Sequence, residues 1–224
     1  MNIVRSFLNS TVELELSGRP LQIRGKLVDV AGDIIVLYAA NQFIYVPSLH
    51  IQHLKPSDPV DADEASGAMP PPPLDSTTES ISYRKMLMNA KGMFVELYIT
   101  GNQSIHGYLT SIMNDYFVFY SPTFHHVFIS MRHVKYVIPY TSQATPYLLP
   151  KDHFPVKPSS LTLARTFEQQ LKKLENQFVI LDLGDNPYKI GLLRKVEDGA
   201  LELITANGAS VILHSEHVKT LHLP

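Results

Sequence analysis

Apolar and polar residues alternate through Val12-Glu13-Leu14-Glu15-Leu16, the mark of a strand with one buried face. Related runs return at Val95-Glu96-Leu97-Tyr98-Ile99 and Val179-Ile180-Leu181-Asp182-Leu183. Turn chemistry follows each: Ser17-Gly18-Arg19-Pro20, Thr100-Gly101-Asn102-Gln103 and Gly184-Asp185-Asn186-Pro187. A second strand then carries Gly-x-Leu, at Gly25-Lys26-Leu27, Gly107-Tyr108-Leu109 and Gly191-Leu192-Leu193. Third strands are predicted at Ile34–Tyr38, Tyr116–Tyr120 and Leu201–Ile204, and fourth strands at Phe43–Val46, Val127–Ile129 and Val211–Leu213. A three-residue corner ending in histidine leads to a fifth strand: His50-Ile51-Gln52-His53-Leu54, His133-Val134-Lys135-Tyr136-Val137 and His217-Val218-Lys219-Thr220-Leu221. Glycine and histidine stay 25 to 26 residues apart, and the glycines are 82 and 84 residues apart. Two landmarks keeping register over three copies predict an internal triplication.

Glycine inside a strand weakens pairing and marks a bulge or bend, as a small closed sheet requires. Helical signals precede the sheets. Leu163, Phe167, Leu171 and Leu174 form one apolar stripe, which predicts a helix from Ser160 to about Gln177. Ile81 to Ala90, ended by Gly92, is a shorter version, and Ile3 to Leu8 a stub. The domain expectation is a first barrel at 1–55, an acidic Pro-rich linker at 56–80 and a second barrel at 81–140. A second linker at 141–159 precedes a helix and third barrel at 160–224. The first linker, with Pro70-Pro71-Pro72-Pro73, reads as a mobile spacer. Tyr147, Leu148, Leu149 and Phe154 suggest that the second packs on a barrel.

Composition narrows the function. The chain of 224 residues is 45% hydrophobic, enough to bury a core, with a net charge of −2. Such a charge offers no broad hold on a polyanion. Cysteine is absent, so disulfides and thiolate metal sites are excluded. No apolar run approaches membrane-spanning length, and Met1–Leu8 lacks the apolar core of a secretion signal.

Ten histidines raise a metal site, with His125-His126 near His133, and His214 with His217, as the best clusters. Neither is expected to have the carboxylate or cysteine partners that usually complete a site, and the expectation is no metal and no cofactor. His50, His133 and His217 are expected instead to hydrogen-bond local backbone at the corners. No Gly-x-Ser-x-Gly elbow and no phosphate loop is present, so an enzyme is not expected. The eleven tyrosines fit β propensity, or an interaction or cross-linking surface. The layout of helix, glycine-bent second strand, short corner and last strand resembles the Sm-like fold, which often binds RNA as a ring. The expected fold is therefore all-β: three tandem Sm- or SH3-like five-stranded barrels with short N-terminal helices. The basic-Gly pair of Sm RNA loops is missing from Ser48-Leu49-His50, Met131-Arg132-His133 and Ser215-Glu216-His217.

The repeated glycines Gly25, Gly107 and Gly191, with the endings His50-Ile51-Gln52, His133-Val134-Lys135 and His217-Val218-Lys219, resemble the spore outer coat protein B family of Bacillus-type bacteria. That resemblance implies a structural coat component, made in the mother-cell cytoplasm and placed in the spore coat. Its partners would be other coat proteins and itself, without membrane, nucleic acid or small-molecule substrate. The family's Ser/Lys/Arg-rich tail has no counterpart in these residues, so no tail function carries over. The alternative is an Sm-like RNA-binding or regulatory protein.

Overall fold

The structure is a computed structural model that describes residues 2–18, 21–57, 69–74, 81–99, 104–140, 146–148 and 161–224. The first repeat contains helix α1 (Asn2–Arg5) and strands β1 (Thr11–Leu16), β2 (Leu21–Val30), β3 (Ile34–Ala39), β4 (Gln42–Pro47) and β5 (Ile51–Pro56). The second contains α2 (Tyr83–Asn89), β6 (Phe94–Tyr98), β7 (Ser104–Ile112), β8 (Tyr116–Ser121), β9 (His125–Ser130) and β10 (Tyr136–Pro139). The third contains α3 (Phe167–Lys173), β11 (Gln177–Leu181), β12 (Ile190–Glu197), β13 (Ala200–Ile204), β14 (Ser210–His214) and β15 (Thr220–His222). Single 3-10 turns, Ser48–His50, Met131–His133 and Ser215–His217, form the corners before the fifth strands.

The chain divides into two compact units, one of residues 1–98 and 135–144 and the other of residues 99–134 and 145–224. The segment 81–140, expected as one barrel, thus contributes β6 and β10 to the first unit and β7, β8 and β9 to the second.

In the first unit the strand order is β6-β10-β4-β3-β2-β1-β5. Every pairing is antiparallel. Its core gathers Val12, Leu14 and Leu16 from β1 with Leu27, Leu37, Val46 and Ile138. The alternation that predicted β1 is its burial pattern, with Glu13 and Glu15 on the other face. Those glutamates meet Lys55 at 2.8 Å and His53 at 3.5 Å across the β1–β5 pair.

In the second unit the order is β14-β13-β12-β11-β15-β9-β8-β7, again antiparallel. Its core joins Tyr116, Val118 and Phe128 to Phe167, Leu171, Val179, Leu193 and Leu221. Burial of Tyr116 pushes the pKa of its hydroxyl up to about 12. That hydroxyl lies 2.8 Å from the Ala164 oxygen and 3.1 Å from Gln170 Oε1.

The protein is mostly β with few helices, and each unit holds an open antiparallel sheet. The expected closed barrels are not what the pairing gives. Among the described residues β4 pairs with β3 and β10, and not with β5 of its own repeat. Likewise β14 pairs with β13 alone.

Four local expectations need correction. The helix expected from Ser160 begins at Phe167, because the Thr166 side chain accepts from the Gln169 N–H at 3.3 Å and caps it. Leu163 still packs on the same core, so the stripe recorded shared packing rather than one continuous helix. The strand expected through Leu183 ends at Leu181, because Asp182 and Leu183 adopt positive φ of 49° and 59°. Most of the first linker lies outside the described residues. Within it Leu74 is buried and its N–H donates to the Tyr45 hydroxyl at 3.1 Å, so this part of the spacer is anchored. In the second linker Leu149 and Phe154 lie outside the described residues, and Tyr147 and Leu148 are exposed rather than packed.

Candidate functional site

The glycine landmarks do one physical job. A Cβ on Gly25 would meet the Tyr38 carbonyl oxygen at 2.7 Å. On Gly107 and Gly191 it would fall inside the carbonyl oxygens of Tyr120 and Ile204. Each of these carbonyls lies on the third strand, 13 residues after its glycine. The bulge comes slightly later, between Leu27 and Asp29, Leu109 and Ser111, and Leu193 and Lys195. Glycine is thus required for close approach of two backbones, and the bend follows it.

The histidine landmarks diverge. His50 is buried, and its Nδ1 lies 3.0 Å from Lys135 Nζ and 3.2 Å from Ser17 Oγ. Lysine has only donors, so this ring nitrogen accepts. Lys135 Nζ also donates to Ser17 Oγ at 2.9 Å. A serine beside an imidazole is half of a nucleophilic pair. Here the nitrogen that would take the serine proton already accepts from Lys135. His133 Nε2 is 2.8 Å from the Glu216 carbonyl oxygen, 83 residues away. The His217 ring sits 5.6 Å from that of His214. Beyond Ser17 of its own repeat, His50 thus reaches Lys135 in the following repeat, and His133 reaches the Glu216 carbonyl in the third. Spacing within one repeat could not reveal these partners.

Other candidates separate. His125 has a positive φ of 55° and is exposed at the start of β9, and both His125 and His126 lie beside Tyr120. Among the described residues no three His, Asp or Glu side chains are grouped to hold a metal ion. Arg132, the one corner arginine, lies 3.2 Å from Glu216. A cavity of about 300 Å³ beside these corners has Asp115, Arg132, Glu168 and Glu216 in its lining, a mixed-charge surface.

A buried polar group centred on Asp182 was not legible in the sequence. The buried Asp182 carboxylate accepts from the Lys219 and Thr220 N–H groups at 2.7 and 3.1 Å, and from Lys189 Nζ at 2.6 Å. Burial works against the Lys189 charge, but Asp182 and Asp185 outweigh it and raise its pKa. The group fixes the start of β15 against the end of β11. Alternation puts Asp182 on the outward side of the run, as it does Glu15, so its burial, which follows the positive-φ turn after β11, left no signal in the sequence.

What joins one repeat to the next is a shared construction. In the first unit Val137 of β10 pairs with Tyr45 of β4. In the second unit Thr220, Leu221 and His222 of β15 pair with Ile129, Phe128 and Val127 of β9. Each joint sets the fifth strand of one repeat beside the fourth strand of the repeat before it. Helix caps cross the same way. Asp33 Oδ1 accepts from the Tyr83 N–H at 3.0 Å, and Asp115 Oδ1 from the Phe167 N–H at 2.8 Å. Carboxylates there satisfy the first orphan donors of α2 and α3.

Repeats paired strand to strand, with backbone as the main adhesive, define a tandem β-repeat protein of several domains. A family model described as the YwrJ third domain matches residues 166–221, from the Thr166 cap through β15's Leu221. The chain is also similar to a protein of Bacillus subtilis (strain 168) named uncharacterized protein YwrJ, with 42% identity over 226 residues and 100% of both chains covered. It belongs to the YwrJ family.

Proposed function

We propose that this protein is a structural component of the spore coat that assembles by protein–protein contact. The observation that carries the reading is the repeat-to-repeat joint. A chain that already binds its own repeats by strand pairing has the chemistry to bind others the same way. Among the described residues β14 and β5 each have one neighbouring strand and one open edge. The resemblance of the glycine and histidine landmarks to the outer coat protein B family supplies the cellular setting, and the relative from a Bacillus is compatible with it. The strand order fifth-first-second-third-fourth in repeats one and three, with a bent second strand, supports reading each as an Sm-like barrel with one open seam.

An RNA-binding role is the second reading, and the charges weigh against it. Non-specific affinity needs uncompensated cations along a phosphate track. The net charge is −2, and Arg132 is matched by Glu216.

Fractionation is the test. The protein should co-purify with washed spores and appear in their coat extract. Labelled single-stranded RNA at physiological salt should bind weakly. Absence from spores together with sub-micromolar, salt-sensitive RNA binding would replace the coat reading with the RNA one.

A further inference from the structure

We infer that copies of this chain associate head to tail, β5 of one copy pairing antiparallel with β14 of the next, Leu54 opposite Ile212. The inference rests on the assembly reading above and names its partner as a second copy.

The register comes from the two internal joints. Counted from the corner histidine, Val137 and Leu221 are both four residues after it, and their partners Tyr45 and Phe128 both five residues before it. The joints therefore share one register, although their side chains differ. Applied to the open strands, the same counting sets Leu54 against Ile212, His53 against Leu213 and Lys55 against Val211.

Among the described residues, burial identifies β14 as a strand that lacks a neighbour. The equivalent triplets are Ile44-Tyr45-Val46, Val127-Phe128-Ile129 and Val211-Ile212-Leu213. Three consecutive apolar residues belong to a strand covered on both faces and along both edges. The first two triplets meet that condition, with Tyr45 and Phe128 at 0% exposure. Ile212 keeps the apolar character but is 66% exposed. A residue with its environment missing is what an unfilled joint leaves behind.

The receiving joint is weaker than the internal ones, for two reasons. On β5 the apolar Leu54 is flanked by His53 and Lys55, polar residues that blunt an open edge. Glu15 and Glu13 on β1 hold these two side chains, which limits the penalty. The helix cap is also absent. The Ser48 and Met131 N–H groups bond the carbonyls of Asp33 and Asp115, and the Ser215 N–H bonds that of Gly199. Gly199 thus stands where the capping aspartates stand, and a second copy is held by the strand ladder alone.

The chain has no cysteine, so introduced thiols report register directly. Antiparallel partners lie about 4.5 to 5.5 Å apart at Cα, within disulfide reach. Leu54→Cys and Ile212→Cys proteins, one carrying an affinity tag, should form a mixed disulfide dimer on oxidation. His53→Cys with Ile212→Cys, one residue out of register, should give several-fold less. Wild-type protein should show concentration-dependent sedimentation at chain concentrations up to about 1 mM, the limit of weak association. Ile212→Lys should sediment as a monomer with an unchanged melting temperature. Equal cross-linking in both registers, or a wild type monomeric throughout that range, overturns the inference. A monomeric wild type that still fractionates with spore coat sinks the self-pairing alone. A self-pairing protein absent from spores sinks the coat reading instead.

Discussion

Gly107 has no space for a methyl group, since a Cβ would penetrate the Tyr120 carbonyl oxygen and press on the Phe119 ring. Gly107→Val should therefore destabilise the fold by about 1–3 kcal/mol, the usual cost of overpacking. Gly32 has nothing within 4 Å of an added Cβ, so Gly32→Ala should stay within about 0.5 kcal/mol of wild type. Urea denaturation of the two variants gives the comparison. His222 makes a second residue-level prediction. It pairs with Val127 and its ring lies 5.6 Å from Phe124; burial pushes its pKa down. Its folded pKa is below the unfolded one, so the unfolded chain binds the extra proton first. Stability is full above about pH 6.5, the ordinary histidine value, and falls as pH drops through the folded pKa. Melting temperature should decline on acidification, and His222→Leu should flatten that slope. The glycines were legible in the sequence because steric exclusion leaves a residue-type mark. The partners of His50 and His133 were not, because hydrogen-bond partners 83 and 85 residues away leave none.

At the scale of elements, strands were read well where burial alternates or the apolar run is short. Helix starts were read less well. α2 and α3 are seven residues each, too short for periodicity to define, and their caps fix them. Half of each cap comes from another repeat, through Asp33 and Asp115. Asp115→Ala should cost about 1 kcal/mol, the usual value of an N-terminal capping carboxylate. Asp115→Asn should recover most of it, since the amide oxygen still accepts; chemical denaturation reads both. The chain turns from helix to first strand through Asn9, Gly92 and Asn176, at φ of 66°, 79° and 64°. Only the glycine drew notice in the sequence, yet asparagine also tolerates the left-handed region.

For the whole molecule, the triplication was legible and the closed barrels were not what followed from it. Strand alternation reports that a strand has a buried face, and says nothing about which repeat supplies its neighbour. Among the described residues, pairing the fourth strand with the following repeat's fifth leaves β5 in one unit and β14 in the other with unlike open edges. An Ile212→Lys molecule keeps an intact β5 end and loses the other. Mixed with wild type, it should add once to a growing row and stop it. Light scattering should then show the mean particle size falling as the variant fraction rises, whereas a molecule excluded from the rows would leave that size unchanged. In genetic terms such an allele would be silent for folding and dominant for assembly: one poor copy in a cell should shorten what every good copy builds.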